Sequence, residues 1–110
     1  MSGQKEKLAK YKVEAEAQLA KAGVSNIDDE LLSKLVNNLK LLMDKKDALS
    51  VAGSDPKEME TVRKNFIEKK LGIADKEKGA AICVDVAKKM ADSRLKNRAA
   101  FYYLCSKHEG

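Results

Sequence analysis

Tryptophan is absent from this chain, proline and histidine each occur once, cysteine twice, and aromatic residues make up only 5%. Each scarcity removes a class of protein. The longest uninterrupted apolar run is the seven residues from Ala99 to Cys105, against roughly 20 needed to cross a bilayer as a helix. The opening Met-Ser-Gly-Gln-Lys-Glu-Lys has no apolar core and no small-residue cleavage pattern, so the chain as given shows no secretory signal and a cytosolic setting is expected. Cys83 and Cys105 form no C-x-x-C motif and are expected to be reduced and buried. Gly53-Ser-Asp-Pro has one glycine and lacks the Gly-Lys-Ser/Thr ending of a phosphate loop.

What is there in quantity is charge and helix-forming residues. The chain is 44% hydrophobic and 35% charged, a balance that favours solvated helices around one core. At 110 residues it predicts a single all-α domain spanning 1–110, a compact bundle of four to five helices with residues 1–7 frayed. Net charge is +5 and uneven: residues 1–62 carry 10 Lys/Arg and 11 Asp/Glu, residues 63–110 carry 12 and 6. Such a basic half can steer anionic partners, and is also ordinary solubility charge.

The clearest local instructions lie in residues 55–73. Asp55 is an N-cap, Pro56 suits the first helical position, and Glu58 is placed to close a capping box on the Asp55 backbone. Gly72 stops the helix, with Lys69 and Lys70 in its last turn. At 100° per residue, Met59, Val62, Phe66 and Ile73 make one apolar strip and Ile67 with Leu71 a second, so this helix should have neighbours on two sides.

Around it, residues 4–22 predict a helix whose narrow strip is Leu8, Tyr11, Ala15, Leu19 and Ala22, ended by Gly23. Asp28 caps a second helix, with Ile27 able to staple onto Leu32 and an apolar face from Leu31 to Met43. Residues 48–52 read as a short helical connector. Ala74-Asp75 restarts a helix running to about Ala91 with Ile82, Cys83, Val86, Ala87 and Met90 on one face. A last helix should start at Asp92 or Ser93 and reach Lys107. The competing reading is a hairpin of the two strand-like pieces 82–86 and 101–105. Their separator is rich in Lys, Ala and Arg and offers no hairpin turn, which weighs against it.

Candidate chemistry is sparse. Cys105 and His108 are three residues apart on one helical face, but the histidine sits two residues from the end, where no third group would hold it. Two ligands without a second cluster make no zinc site. Carboxylates gather at predicted helix starts, where helix-end electrostatics accounts for them. No catalytic, cofactor-binding or metal-binding residue is therefore assigned. Two surfaces are: Phe101, Tyr102, Tyr103 and Leu104, apolar on every side of the last helix, as a contact with a second subunit; and Arg63, Lys70, Arg94, Lys96 and Arg98 as anion contacts. A salt bridge is the plain expectation for Arg63 and Lys70, and dispersed lysines argue against the phosphate contacts that nucleic acid needs.

Three segments together resemble a family of small bacterial all-helical domains of unknown function: Ser54-Asp55, Val62-Arg-Lys-Asn-Phe-Ile-Glu-Lys-Lys-Leu-Gly-Ile73, and Lys96-Asn-Arg-Ala-Ala-Phe-Tyr-Tyr-Leu104. The resemblance covers residues 28–107 and implies a fold, not an activity. The family pattern often has cysteine where this chain has Gly53, and no proline at Pro56, so no role for that thiol carries over. The resulting expectation is a non-enzymatic module for self-association or protein interaction, with a homodimer or a protein as partner, no cofactor and no membrane. A basic, nucleic-acid-associated helical protein is the alternative, and an enzyme using a cleft beside Arg63 and Lys70 comes third.

Overall fold

A computed structural model describes residues 2–40, 49–52, 55–91 and 96–108. Among these residues lie five helices, α1 (Ser2–Lys21), α2 (Asp29–Asn38), α3 (Pro56–Val62), α4 (Lys76–Lys89) and α5 (Arg98–Lys107), and two short strands, β1 (Ser50–Val51) and β2 (Lys96–Asn97). α3 runs without a break into a π-helical stretch, Arg63–Glu68. Among the described residues the regular structure is helical apart from this one antiparallel strand pair, in which Ser50 faces Asn97 and Val51 faces Lys96.

The helix ends follow local chemistry. Asp28 accepts the Leu31 N–H, Asp55 the Lys57 N–H, and Asp75 those of Glu77 and Lys78, each satisfying donors that an α-helix leaves open at its start. After the π-helical stretch Gly72 adopts φ 75°, and the Ile73 N–H returns to the Ile67 carbonyl at 3.1 Å. That bond is one residue wider than the six-to-one bond of a Schellman stop; the six-to-one bond itself closes α1, where Gly23 at φ 96° precedes Val24, whose N–H returns to the Leu19 carbonyl at 3.0 Å.

Four local expectations are corrected. Residues 50–51 are a strand, not part of a helical connector, because β2 supplies the backbone partners. The last helix begins at Arg98 with Asn97 as its cap, so the chain between α4 and α5 is not continuously helical; Asp92 and Ser93 lie outside the described residues. Glu58 closes no capping box: the Asp55 N–H goes to the Ala52 carbonyl and the Glu58 carboxylate to Arg98. α2 stops at Asn38 with Leu39 as its C-cap; the expected extension through Leu41–Met43 lies outside the described residues. The hairpin reading fails because 82–86 and 101–105 are both helical.

One core joins all the helices. Tyr11, Ala15 and Leu19 of α1, Leu32, Leu35 and Val36 of α2, Val62, Phe66 and Ile67, Ile82, Cys83, Val86 and Met90, and most of α5 are buried together. α5 is central, packing on α1, α2, α4, β1 and the π-helical stretch. Hence Phe101, Tyr103 and Leu104 are enclosed within one chain, 0%, 2% and 7% exposed. The expectation of a subunit contact there is corrected: a helix apolar on every side is satisfied here by neighbours on every side. Only Tyr102 stays half-buried, its ring stacked on Phe66 at 4.0 Å between centroids.

The π-helical stretch explains the burial of Arg63. Its Nη2 and Nη1 reach Glu60 at 2.5 Å and Glu68 at 3.2 Å, and the second pairing joins positions five apart, the backbone hydrogen-bond spacing of a π-helix. Gly79 of α4 makes the room: a Cβ there would lie 2.8 Å from Arg63 Cγ.

Candidate functional site

The buried polar residues Lys96, Asn97 and Arg98 sit where β2 turns into α5. Asn97 is fully enclosed and bonds to four neighbours. Its Oδ1 accepts the Ala100 N–H at 3.1 Å, its Nδ2 donates to the Tyr11 carbonyl at 3.1 Å and to Glu14 at 3.3 Å, and its backbone N–H donates to Gln18 Oε1 at 2.7 Å. The Tyr11 hydroxyl donates to the Leu49 carbonyl at 2.6 Å and accepts the Ala99 N–H at 3.3 Å. Arg98 donates to Tyr102 Oη at 2.9 Å, to Glu58 at 2.5 Å and to the Ser50 carbonyl at 3.4 Å. α1, β1, α3 and α5 thus meet through side chains that satisfy one another, as buried polar groups must.

Electrostatics confirms a closed network. Burial pulls Arg98 down, but Tyr102 and Glu58 outweigh it and the guanidinium is raised above its usual value. Arg63 is likewise raised by Glu60, whose carboxyl is lowered by the Arg63 hydrogen bond. Burial pushes the Cys83 thiol up to about 11, and burial with Cys83 alongside raises Cys105 further. At both positions burial favours the protonated thiol.

Tyr11 carries a pH prediction. Burial raises its phenol from 10.0 to about 12. An acid whose folded value is raised stabilises the fold fully below its unfolded value and loses that contribution as pH climbs through the folded one. Between pH 10 and 12, urea melts should show the protein losing about 2–3 kcal/mol, and the Tyr11→Phe protein losing less. Parallel curves would place the alkaline transition elsewhere.

The anion contacts do not assemble as one surface. Arg63, Lys96 and Arg98 are buried, and the two arginines are held by carboxylates; Lys70 is exposed, and Arg94 lies outside the described residues. This corrects the expectation of anion contacts for three of the five residues: long basic side chains can cover core with their stems, but Arg63 and Arg98 also have their charged ends engaged by carboxylates of the chain, and Lys96 is buried. The His108 Nε2 lies 2.9 Å from Asp85 while Cys105 is enclosed, so thiol and imidazole are not paired. Among the described residues no group of three or more His, Cys, Asp or Glu could hold a metal, and no helix is long and apolar enough to cross a membrane.

An open groove of about 740 Å³ lies between α1 and α2 among the described residues. Leu8 and Ala9 line one wall, Leu31 and Val36 the other, with Lys12, Asp28, Glu30 and Lys34 among its charged residues. Lys12 is tied to Asp29. The α2 cap is held by Tyr103, whose hydroxyl accepts the Asp28 N–H at 2.7 Å, and by Lys107, 3.3 Å from the Asp28 carboxylate. The first-turn N–H of Leu31 and Lys107 keep the Asp28 carboxyl below its usual value. Sequence periodicity identified Leu8 and Leu31 as apolar helix residues, but no local signal says that the α1–α2 seam stays open beside them.

Residues 11–110 match the family model described as a protein of unknown function (DUF2853), and the chain belongs to that family. No curated protein matches it.

Proposed function

We propose that this family member is a non-catalytic interaction module, working in the cytosol, which takes a short amphipathic helix of a protein partner into the groove between α1 and α2. The groove carries the reading: an open trough with apolar walls and charged residues of both signs has the form of a helix-in-groove site, where a partner docks apolar side chains at i, i+3/i+4 and i+7 spacing. The non-catalytic part is supported by the state of the reactive groups. Both thiols are buried and protonated, and the two enclosed arginines are engaged by their own carboxylates.

A displayed library of helical peptides selected on the whole protein tests this. Enriched sequences should carry that apolar spacing, shift the amides of Leu8, Lys12 and Leu31 in heteronuclear spectra, and lose binding on Leu31→Asp with the fold retained. No enrichment, or binders that map elsewhere, would refute the groove. A labelled single strand provides the opposing arm, because nucleic acid would be recognised by salt-sensitive phosphate contacts. No binding near micromolar strength is expected at physiological salt, since Arg63, Lys96 and Arg98 are enclosed. Salt-sensitive binding lost on Lys70→Ala would favour a nucleic-acid role instead.

A further inference from the structure

Two of the charged residues lining the groove are engaged within the chain: Lys12 with Asp29, and Asp28 with Lys107 at 3.3 Å. Glu30 and Lys34 are not. Among the described residues their charged ends have no ion pair or hydrogen bond, and both residues are exposed. They share one wall, four positions apart on α2 and so about 6 Å apart along its axis. The α1 wall contributes Leu8, Ala9 and the engaged Lys12. A partner therefore meets one open negative and one open positive charge, in fixed order along α2, with apolar surface beside them.

We propose that Glu30 and Lys34 set the charge order and the direction of the bound helix: it runs antiparallel to α2, with an acidic residue opposite Lys34 and, four positions later, a basic one opposite Glu30. This order presupposes the helix-binding groove and narrows its partner. A helix lying along α2 can meet two charges one turn apart with two of its own at the same spacing, so complementarity by itself allows either direction. A parallel helix must place its base first and its acid four positions on; an antiparallel helix places the acid first. The second order is the one a helix favours in its own right. Glu before Lys at this spacing pairs better than the reverse, and acid toward the N-terminus with base toward the C-terminus suits the helix dipole. The antiparallel partner thus loses less on becoming helical at the groove, and a partner with either charge reversed is opposed by repulsion.

The displayed helical library, selected side by side on the wild-type protein and on the double variant Glu30→Lys/Lys34→Glu, tests the proposal. Wild-type selections should be enriched in an acid followed four positions later by a base, on one flank of the apolar spacing. The leading wild-type peptide should bind the double variant about tenfold more weakly, as two exposed pairs become repulsions, and exchanging its acid and base should recover that loss. Lys34→Glu alone, which leaves the first turn of α2 untouched, should cost about threefold. A nitroxide on the N-terminus of the same peptide should broaden the Asn37 amide more than that of Leu31, because an antiparallel helix starts toward the C-terminal end of α2. Helical binders that map to Leu8 and Leu31 without a charge order, or that bind wild type and double variant alike, overturn the role of Glu30 and Lys34 and leave the groove standing. Broadening strongest at Leu31 overturns the antiparallel direction. The absence of any helical binder overturns groove and charge order together.

Discussion

Phe101→Ala should lower the unfolding free energy by about 3–5 kcal/mol, measured as a shift in the urea midpoint with little change in slope. Phe101 is fully enclosed on the helix that touches most of the others, so its truncation leaves a cavity with several walls and no single element able to collapse into it. The measurement also separates two readings of the same residue. A ring that served a contact between copies would cost association and leave the monomer's melt almost unchanged. A loss below about 1 kcal/mol would show that the α5 surroundings relax or are not as enclosed as described.

Asn97→Ala should cost about 2–4 kcal/mol, the sum of a lost helix cap and of buried groups left without partners. The side chain caps α5 through Ala100 and occupies the Tyr11 carbonyl, both in the interior. Asn97→Asp discriminates between these roles. It keeps an acceptor for the Ala100 N–H but removes the donor to the Tyr11 carbonyl and sets a carboxylate beside Glu14. If capping alone mattered, the aspartate protein would match the wild type; the network predicts that it stays well below. Amide exchange in α5 and β1 would report the loss directly, because both elements are tied to this junction.

The amino-acid sequence by itself determined what depends on neighbours along the chain. Asp28, Asp55 and Asp75 cap the helices that follow them, since a side-chain oxygen two or three residues before open N–H groups needs nothing from elsewhere. Gly72 ends the central segment for the same local reason, and the period of Tyr11, Ala15 and Leu19 marked the buried side of α1 before any partner for it was known. Leu8 and Leu31 were legible as apolar, though not as walls of a groove.

Tertiary structure decided whatever depends on residues far away in the chain. Ser50–Val51 are a strand only because Lys96–Asn97 pass beside them, and neither pair has enough residues to announce a strand. Glu58 was free to cap its own helix and instead faces Arg98, 40 positions on, where a carboxylate stabilises a buried guanidinium more than it would an exposed N–H. Lys96 and Arg98 read as surface cations because lysine and arginine usually are, and for Arg98 the Glu58 carboxylate, far away in the chain, reversed that; the salt bridge expected of Arg63 is present, but packing buries its side chain. The sequence could show that residues 101–104 are apolar all round, but a second subunit and a ring of neighbouring helices satisfy that pattern equally. Only the packing of α1, α2 and α4 around α5 distinguishes them, because burial is a property of what surrounds a side chain and not of the side chain itself.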